Sequence, residues 1–227
     1  MEQQKSVPIG ESLKYGWHTM KENIGFFILL LVVYYVVYFG ASIVVGMLSG
    51  NNPVYIVLNI ALIVWSLLLS LGLIHITLAF VDSKKPTIGE LFGQGALLGQ
   101  AILLYILYTL IVMAGILLLV VPGIIWSLKY SQAFYLLVDK KMSATEALKK
   151  SGELTSGVKL ELFGFGIVSG LVILAGLLAL VVGLFAAIPT VMIATTFVYR
   201  RLLSQTGAGG SMPATSSATP MPPNPTV

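Results

Sequence analysis

Six long apolar stretches with basic residues at alternate ends constrain this chain more than any other feature. The stretches cover about residues 24–49, 54–81, 98–120, 122–138, 160–182 and 184–203. No charge occurs in the connections at 50–53, 121–122 and 183. Twelve of the thirteen Lys and Arg residues flank the opposite ends: Lys5, Lys14, Lys21, Lys84, Lys85, Lys140, Lys141, Lys149, Lys150, Lys159, Arg200 and Arg201. The thirteenth, Lys129, lies inside the fourth stretch.

This alternation predicts how the chain is oriented in a membrane. A spanning helix needs about 20 apolar residues, and cytoplasmic loops retain an excess of Lys and Arg. We therefore expect an all-α polytopic bundle of six transmembrane helices, arranged as three hairpins with short amphipathic interfacial helices. Both termini are expected in the cytoplasm.

Composition supports a membrane protein and excludes several other classes. Apolar residues make up 57% of the chain and charged residues 10%, whereas a soluble domain has about 25% charged residues. The net charge of +4 comes from cations beside helix ends, where they meet anionic headgroups, so nucleic-acid binding is not expected. The chain has no Cys, which excludes disulfides and thiolate metal sites. The first apolar run is also too long for a cleavable signal.

The chain divides into three parts. Residues 1–23 are expected to form a cytoplasmic amphipathic lead-in helix, and residues 24–203 the six-helix transmembrane domain. Residues 204–227 are rich in Gly, Ser, Thr and Pro beyond the first few positions and carry no charge. Such a segment cannot bury enough apolar surface to fold, so we expect a disordered cytoplasmic tail.

The inner connections contain a weak repeat. In residues 81–91 and again in 138–147, Val-Asp and two lysines end a stretch, and a capping box ending in Glu90 or Glu146 follows. Residues 9–11 have the same Ile-Gly-Glu sequence as residues 88–90. We expect a unit of one short amphipathic helix and one hairpin, used three times. Each short helix is expected to lie in the headgroup layer, with a partner-docking surface as the alternative.

Small residues spaced four apart predict close contact between helices. Such pairs occur at Gly95 and Gly99 and at Gly166 and Gly170.

Lys129 is the most informative residue for function. It follows Pro122 by seven residues and precedes Asp139 by ten, which places it near mid-depth if the fourth span is straight. A lysine there costs about 2.5–3.5 kcal/mol, so it should snorkel, pair with a charge or face a polar interior. Gln132 shares its helix face, and Glu161 is a candidate counter-charge at the inner edge.

Other polar and aromatic side chains are expected at a similar depth in the inner half of the bilayer. The candidate ligand-binding residues are Lys129, Gln132, His75, Tyr34, Tyr35, Tyr105 and Tyr108. They are compatible with a structural hydrogen-bond network, or with a pocket for an anionic headgroup or small anion from the cytoplasmic leaflet. A third alternative is that Lys129 merely snorkels inward. His75 alone indicates either a packed, hydrogen-bonded imidazole or a proton relay.

No motif supports catalysis. The chain contains no HExxH, GxSxG, P-loop or GxGxxG pattern, and its two histidines are His18 and His75. No stretch has an acidic residue at its centre, which argues against a proton- or cation-coupled pump. We therefore predict a protein without catalytic residues, metal or cofactor.

Three segments together resemble a broad family. They read V-P-G-I-I at 121–125, K-Y at 129–130 and S-x-x-E-A-L-K-K-S-x-x-L-T-x-G at 143–157. The family comprises uncharacterised prokaryotic six-span membrane proteins related to the membrane domain of glycerophosphoryl diester phosphodiesterases, and the resemblance covers about residues 8–203. It implies a six-helix bundle with interfacial helices and a cation at position 129, in the inner or plasma membrane of a prokaryote. It implies no catalysis, because the soluble phosphodiesterase barrel is absent and the family supplies no catalytic residues.

These observations favour a non-enzymatic, membrane-organising or lipid-interacting protein. The expected partners are membrane lipids, with a protein partner or a second copy of the chain left open. The alternative is a small transporter or channel for an anionic amphiphile, built around Lys129. An intramembrane enzyme is the third and weakest hypothesis.

Overall fold

The computed structural model describes residues 5–47, 53–179 and 182–206, and these ranges contain helices and no strand. The helices are α1 (Ile9–Glu22), α2 (Ile24–Met47), α3 (Pro53–Val81), α4 (Leu98–Leu118), α5 (Val120–Tyr130), α6 (Ala133–Lys140), α7 (Ala144–Leu154), α8 (Lys159–Leu178) and α9 (Leu184–Gln205). Two 3-10 turns, Ile88–Phe92 and Gly95–Leu97, precede α4.

Four segments are long and apolar enough to cross a membrane. They are Ile24–Met47, Pro53–Val81, Ile88–Leu118 and Lys159–Leu178. This confirms the coarse prediction of an all-helical protein with helices long and apolar enough to span a membrane. The other two predicted stretches differ for separate reasons. The fourth is broken, and α9 carries polar groups such as Thr190, Thr196 and Arg200 that reduce its average hydropathy. Much of α9 is buried inside the bundle.

The fourth stretch, predicted as one span over 122–138, is two short helices separated at Ser131 and Gln132. Side chains of α7 bind the backbone at this break. The Lys129 carbonyl accepts hydrogen bonds from Ser151 Oγ at 2.9 Å and Thr155 Oγ1 at 3.0 Å. The Gln132 N–H donates to Ser151 Oγ at 3.2 Å. These contacts supply partners for backbone groups near the break, which would be costly to leave unpaired in a buried position.

The helices pack as three hairpins, with α2 against α3, α4 against α5, and α8 against α9. Each hairpin is preceded by a lead-in segment that packs on the second helix of another hairpin. The first lead-in, α1, packs on α9; the second, with the two 3-10 turns, packs on α3; the third, α7, packs on α5 and α6. The three lead-in segments therefore link the hairpins in a closed ring.

The second lead-in folds back along α3. The carbonyl of Leu91 lies so close to Gly72 that a Cβ at position 72 would collide with it. The ring of Phe92 lies 6.1 Å from that of Trp65, further along the same helix. Only glycine permits this approach, and the contact brings Glu90 beside α3.

The two capping boxes predicted from the sequence are both present, but they begin different kinds of helix. The capping box of Ser143 and Glu146 is present and begins α7. The box of Thr87 and Glu90 is also present, but it begins only the 3-10 turn Ile88–Phe92. The lead-in helix α1 does more than lie among headgroups, because it buries one face against the bundle. The buried residues of this face are Ser12, Gly16, Thr19 and Met20.

Some predictions fall largely outside the described residues. Of the predicted tail, Ser204 and Gln205 continue α9 and Thr206 follows it, while residues 207–227 lie outside. Of the uncharged connection at 50–53, only Pro53 lies within the described ranges, and it begins α3.

The glycine pairs at 95 and 99 and at 166 and 170 do not mark the helix contacts seen here. Within the described residues, no neighbouring atom lies within 4 Å of the Cβ positions of Gly95, Gly99, Gly166 or Gly170. The close contact in the α4/α5 hairpin instead involves Gly115, whose Cβ position lies 2.8 Å from the Gly123 Cα. The four-residue spacing alone therefore did not identify the packed faces.

Candidate functional site: a cationic groove

Helices α4, α5 and α7 and the start of α8 enclose an open groove of about 1020 Å³, here called the cationic groove. Its lining combines an apolar wall with three lysines, two aliphatic hydroxyl side chains, one tyrosine and one glutamate. The lining residues are Leu107, Ile111, Lys129, Tyr130, Thr145, Leu148, Lys149, Gly152, Glu153, Ser156 and Lys159. The groove thus joins the unusual lysine of the fourth stretch to two lysines of the inner connections.

Lys129 is held in the groove by its surroundings. It lies in the last turn of α5, and its Nζ is 5.1 Å from the centre of the Tyr130 ring, within cation–π range. Its Cε would lie 3.0 Å from a Cβ at Gly152, so the glycine leaves room for the lysine stem. Among the described residues, no carboxylate lies within ion-pair distance of the Lys129 ammonium.

The expectation that Lys129 lies near mid-depth depended on a straight span. The span is broken just after this residue, and the polar segment that contains α7 folds against it. Lys129 therefore lies beside the polar face of an amphipathic helix. This arrangement is compatible with both the snorkelling and the anion-pocket alternatives.

Glu153, the acidic residue of the lining, does little to neutralise the groove. Its carboxylate binds Lys150 Nζ at 2.9 Å, and its backbone carbonyl accepts a hydrogen bond from Lys5 Nζ at 2.8 Å. The Lys150 ammonium lowers the pKa of Glu153, and the charges of Lys149 and Lys5 act in the same direction. Because Lys150 is outside the lining, the charges of the three groove lysines remain largely uncompensated.

Glu161, the candidate counter-charge, and Gln132 both lie outside the lining of the cationic groove. The Glu161 carboxylate accepts a hydrogen bond from the Val7 N–H, which ties the amino-terminal segment to α8. Gln132 is buried at the α5–α6 break and is absent from the groove lining. Its Nε2 donates to Ser131 Oγ at 3.1 Å, while its Oε1 has no hydrogen-bond partner in the described structure.

His75 lies in a different cavity of about 560 Å³ at the end of α3. Its Nε2 is 3.2 Å from Glu90 Oε2, and both side chains are partly exposed. This pairing depends on the second lead-in folding back along α3. Glu90 gives the His75 imidazole a hydrogen-bond partner. The first of the two alternatives predicted for His75, a packed and hydrogen-bonded imidazole, requires such a partner.

The four tyrosines do not converge on Lys129. Tyr34 and Tyr35 pack edge to face on α2, with ring centres 5.4 Å apart. Tyr108 packs on Phe134 at 6.3 Å, and Tyr105 is 45% exposed on α4. A similar distance from a helix end therefore did not bring these side chains together, because it leaves their direction around the helix axis undetermined.

A second charged feature, here called the inner charge cluster, joins the ends of α3, α6 and α9. Arg200 Nη2 lies 2.6 Å from Asp82 Oδ2, and Arg200 Nη1 lies 2.7 Å from Asp139 Oδ2. Tyr199 OH donates to the same Asp139 oxygen at 2.7 Å, and Lys140 Nζ is 3.4 Å away. The repeated Val-Asp pairs at 81–82 and 138–139 were the sequence signal for this convergence.

The inner charge cluster is well supplied with internal partners. The side chains of Asp139 and Arg200 are only 12% and 15% exposed. Burial raises the pKa of Asp139, but hydrogen bonds from Arg200 and Tyr199 more than offset it, so the pKa lies below its usual value. Arg200 Nε has no hydrogen-bond partner in the described structure, but both terminal nitrogens of its guanidinium are paired with carboxylates. These ion pairs indicate a structural junction between the three hairpins.

Metal binding has no support in the described part of the chain, where no three His, Asp or Glu residues form a group able to hold a metal ion. The cationic groove contains the hydroxyls of Thr145 and Ser156, but its lining includes no His to activate them. Its lysines and apolar wall suit an anion attached to a hydrocarbon chain.

Comparison of the chain with protein-family models, curated proteins and solved structures finds no match.

Proposed function

We propose that this protein is a non-enzymatic integral membrane protein that binds anionic lipid headgroups in the cationic groove. The observation that carries this proposal is the meeting of three lysines from α5, α7 and α8 around one open groove. One wall of the same groove is formed by Leu107, Ile111 and Leu148. Cations beside an apolar wall match the two parts of a phospholipid.

The lack of an internal partner for Lys129 supports a ligand. A lysine ammonium that is partly removed from water costs free energy unless it meets an opposite charge. The inner charge cluster shows that this fold can supply carboxylates to a cation, yet none in the described residues is supplied to Lys129. An external phosphate would provide the missing charge.

We also propose six spans with both termini in the cytoplasm. Helices α4 and α5 are joined by Leu119 alone, so a chain that crosses through α4 must return through α5 and α6. Residues 120–138 would span about 28 Å if helical throughout, and the 22 residues of α9 span about 33 Å. Both lengths match a hydrocarbon core of about 30 Å.

Reporter fusions test this topology directly. Fusions at Asn52 and Lys140 are expected to report opposite sides of the membrane, with Lys140 in the cytoplasm. Reporters on the same side would contradict the hairpin arrangement.

Lipid binding is tested with the full-length protein in phosphatidylcholine nanodiscs, by titrating in phosphatidylglycerol or phosphatidic acid and detecting bound lipid by native mass spectrometry. We expect Lys129→Gln and Lys149→Gln each to weaken anionic-lipid binding about three- to tenfold, as the loss of one nearby charge implies. Lys21→Gln is the matched control, because Lys21 is an exposed lysine of α1 outside the groove. Equal lipid binding by all these variants would contradict the proposal.

Transport of an anionic amphiphile is the rival function. A transporter must connect its binding site to both sides of the membrane, at least alternately. The cationic groove and the cavity beside His75 share no lining residue. The test is the flux of a labelled anionic lipid across the membrane of proteoliposomes. Flux that the wild-type protein supports and Lys129→Gln abolishes would indicate transport as the function.

A further inference from the structure

We infer that the cationic groove selects a phosphomonoester headgroup, which carries nearly two negative charges, over singly charged phosphodiester headgroups. This inference rests on the proposed function, because it names the ligand class of the same groove.

The charge count of the groove favours a doubly charged ligand. Lys129, Lys149 and Lys159 come from three different elements and line one space. Glu153 is already bound by Lys150 at 2.9 Å. A phosphodiester brings one negative charge, whereas a phosphomonoester at neutral pH brings about 1.5–2 charges and three strong acceptor oxygens. The monoester therefore matches the three lysines more closely.

Lys129 is pre-positioned for such a contact. Ser151 and Thr155 hold its backbone carbonyl, and its stem passes over Gly152. A side chain held in place loses less conformational entropy when it binds a ligand. Thr145 and Ser156 add two hydroxyl groups to the same lining, and both can donate to the additional phosphate oxygen.

The apolar wall indicates the source of the phosphate. Free phosphate and a lipid headgroup share the same chemistry at the lysines, but only the lipid has hydrocarbon to place against the wall. That wall is formed by Leu107, Ile111 and Leu148. We therefore assign the phosphomonoester to a lipid.

The test uses the full-length protein in phosphatidylcholine nanodiscs, titrated separately with phosphatidic acid and phosphatidylglycerol that carry identical acyl chains. At about pH 7.5 we expect phosphatidic acid to bind on the order of tenfold more tightly, as one additional nearby charge implies. The preference should fall towards unity at about pH 5, where the monoester loses its second charge. Lys129→Gln should remove most of the preference, and the control Lys21→Gln should retain it.

The possible outcomes separate this inference from the proposed function. Equal binding of the two lipids at both pH values overturns the monoester inference and leaves anionic-lipid binding intact. Binding of neither lipid overturns both. If Lys129→Gln does not fold, Lys149→Gln replaces it, because Lys149 is exposed. Competition by millimolar inorganic phosphate would support phosphomonoester recognition with free phosphate as a source, whereas binding of phosphatidic acid without such competition supports the lipid.

Discussion

The cationic groove and the inner charge cluster are two basic regions with opposite electrostatic surroundings. In the cluster, Arg200 is bound by Asp82 and Asp139, which end two other hairpins. In the groove, three lysines face one glutamate that is already bound by Lys150. The comparison teaches that basic residues beside helix ends serve different purposes in this chain. Arg200 joins helices, whereas the groove lysines are left available to a ligand.

The largest expected effect is on stability, from removing the cation of the inner charge cluster. Arg200→Met leaves two partly buried carboxylates without their shared partner. Loss of one member of a fully buried ion pair costs about 3–5 kcal/mol, and partial exposure reduces our expectation to about 2 kcal/mol. Unfolding of the purified protein in detergent measures the change.

Lys84→Met is the control for this change, because Lys84 is exposed and forms no ion pair with Asp82 or Asp139 in the described structure. Equal stability of the two variants would show that the inner charge cluster does not hold the hairpins together.

The second-largest expected effect is a loss of stability in acid, through protonation of the inner charge cluster. The pKa of Asp139 is lower in the folded protein than in the unfolded chain, where it is about 3.9. The stabilisation is therefore present above about pH 4 and is lost as the pH falls through the lower, folded pKa. We expect the melting temperature to fall below about pH 4 and to depend less on pH in Asp139→Asn. The same acid dependence in both proteins would contradict this assignment.

A smaller effect is expected from narrowing the groove. In Gly152→Ala the added methyl would lie 3.0 Å from Lys129 Cε, so the lysine stem must shift by a few tenths of an ångström. We expect anionic-lipid binding to weaken about twofold, well under 1 kcal/mol, with little loss of stability. Gly10→Ala is the control, because no neighbouring atom lies within 4 Å of its Cβ position. Unchanged lipid affinity would show that the position of Lys129 is not critical.

The smallest expected effect sharpens the contrast between the two regions. Lys129→Met should not lower the free energy of unfolding by more than about 0.5 kcal/mol, because an unpaired ammonium is removed and no described carboxylate loses its partner. Destabilisation as large as that of Arg200→Met would show that Lys129 belongs to a structural network, and the ligand hypothesis would then lose its main support.

The sequence alone determined the properties that depend on local composition. Length and apolar content predicted membrane helices, and four such segments are present. The capping box at Ser143 predicted the start of α7. The six-span count, the side of the termini and the family resemblance remain predictions. Its charge within an apolar stretch distinguished Lys129 in the sequence, but its groove could not be predicted, because the positions of Lys149 and Lys159 in the sequence indicate only a membrane interface.

Only the tertiary structure decided which side chains meet. The backbone at the break after Tyr130 is hydrogen-bonded by Ser151 and Thr155, more than 20 residues away in the chain. The tyrosines diverge because depth along a helix does not set direction around its axis. The inner charge cluster requires three hairpin ends to converge. Local patterns set the length and polarity of each helix, whereas contacts between distant segments determine which face each helix buries.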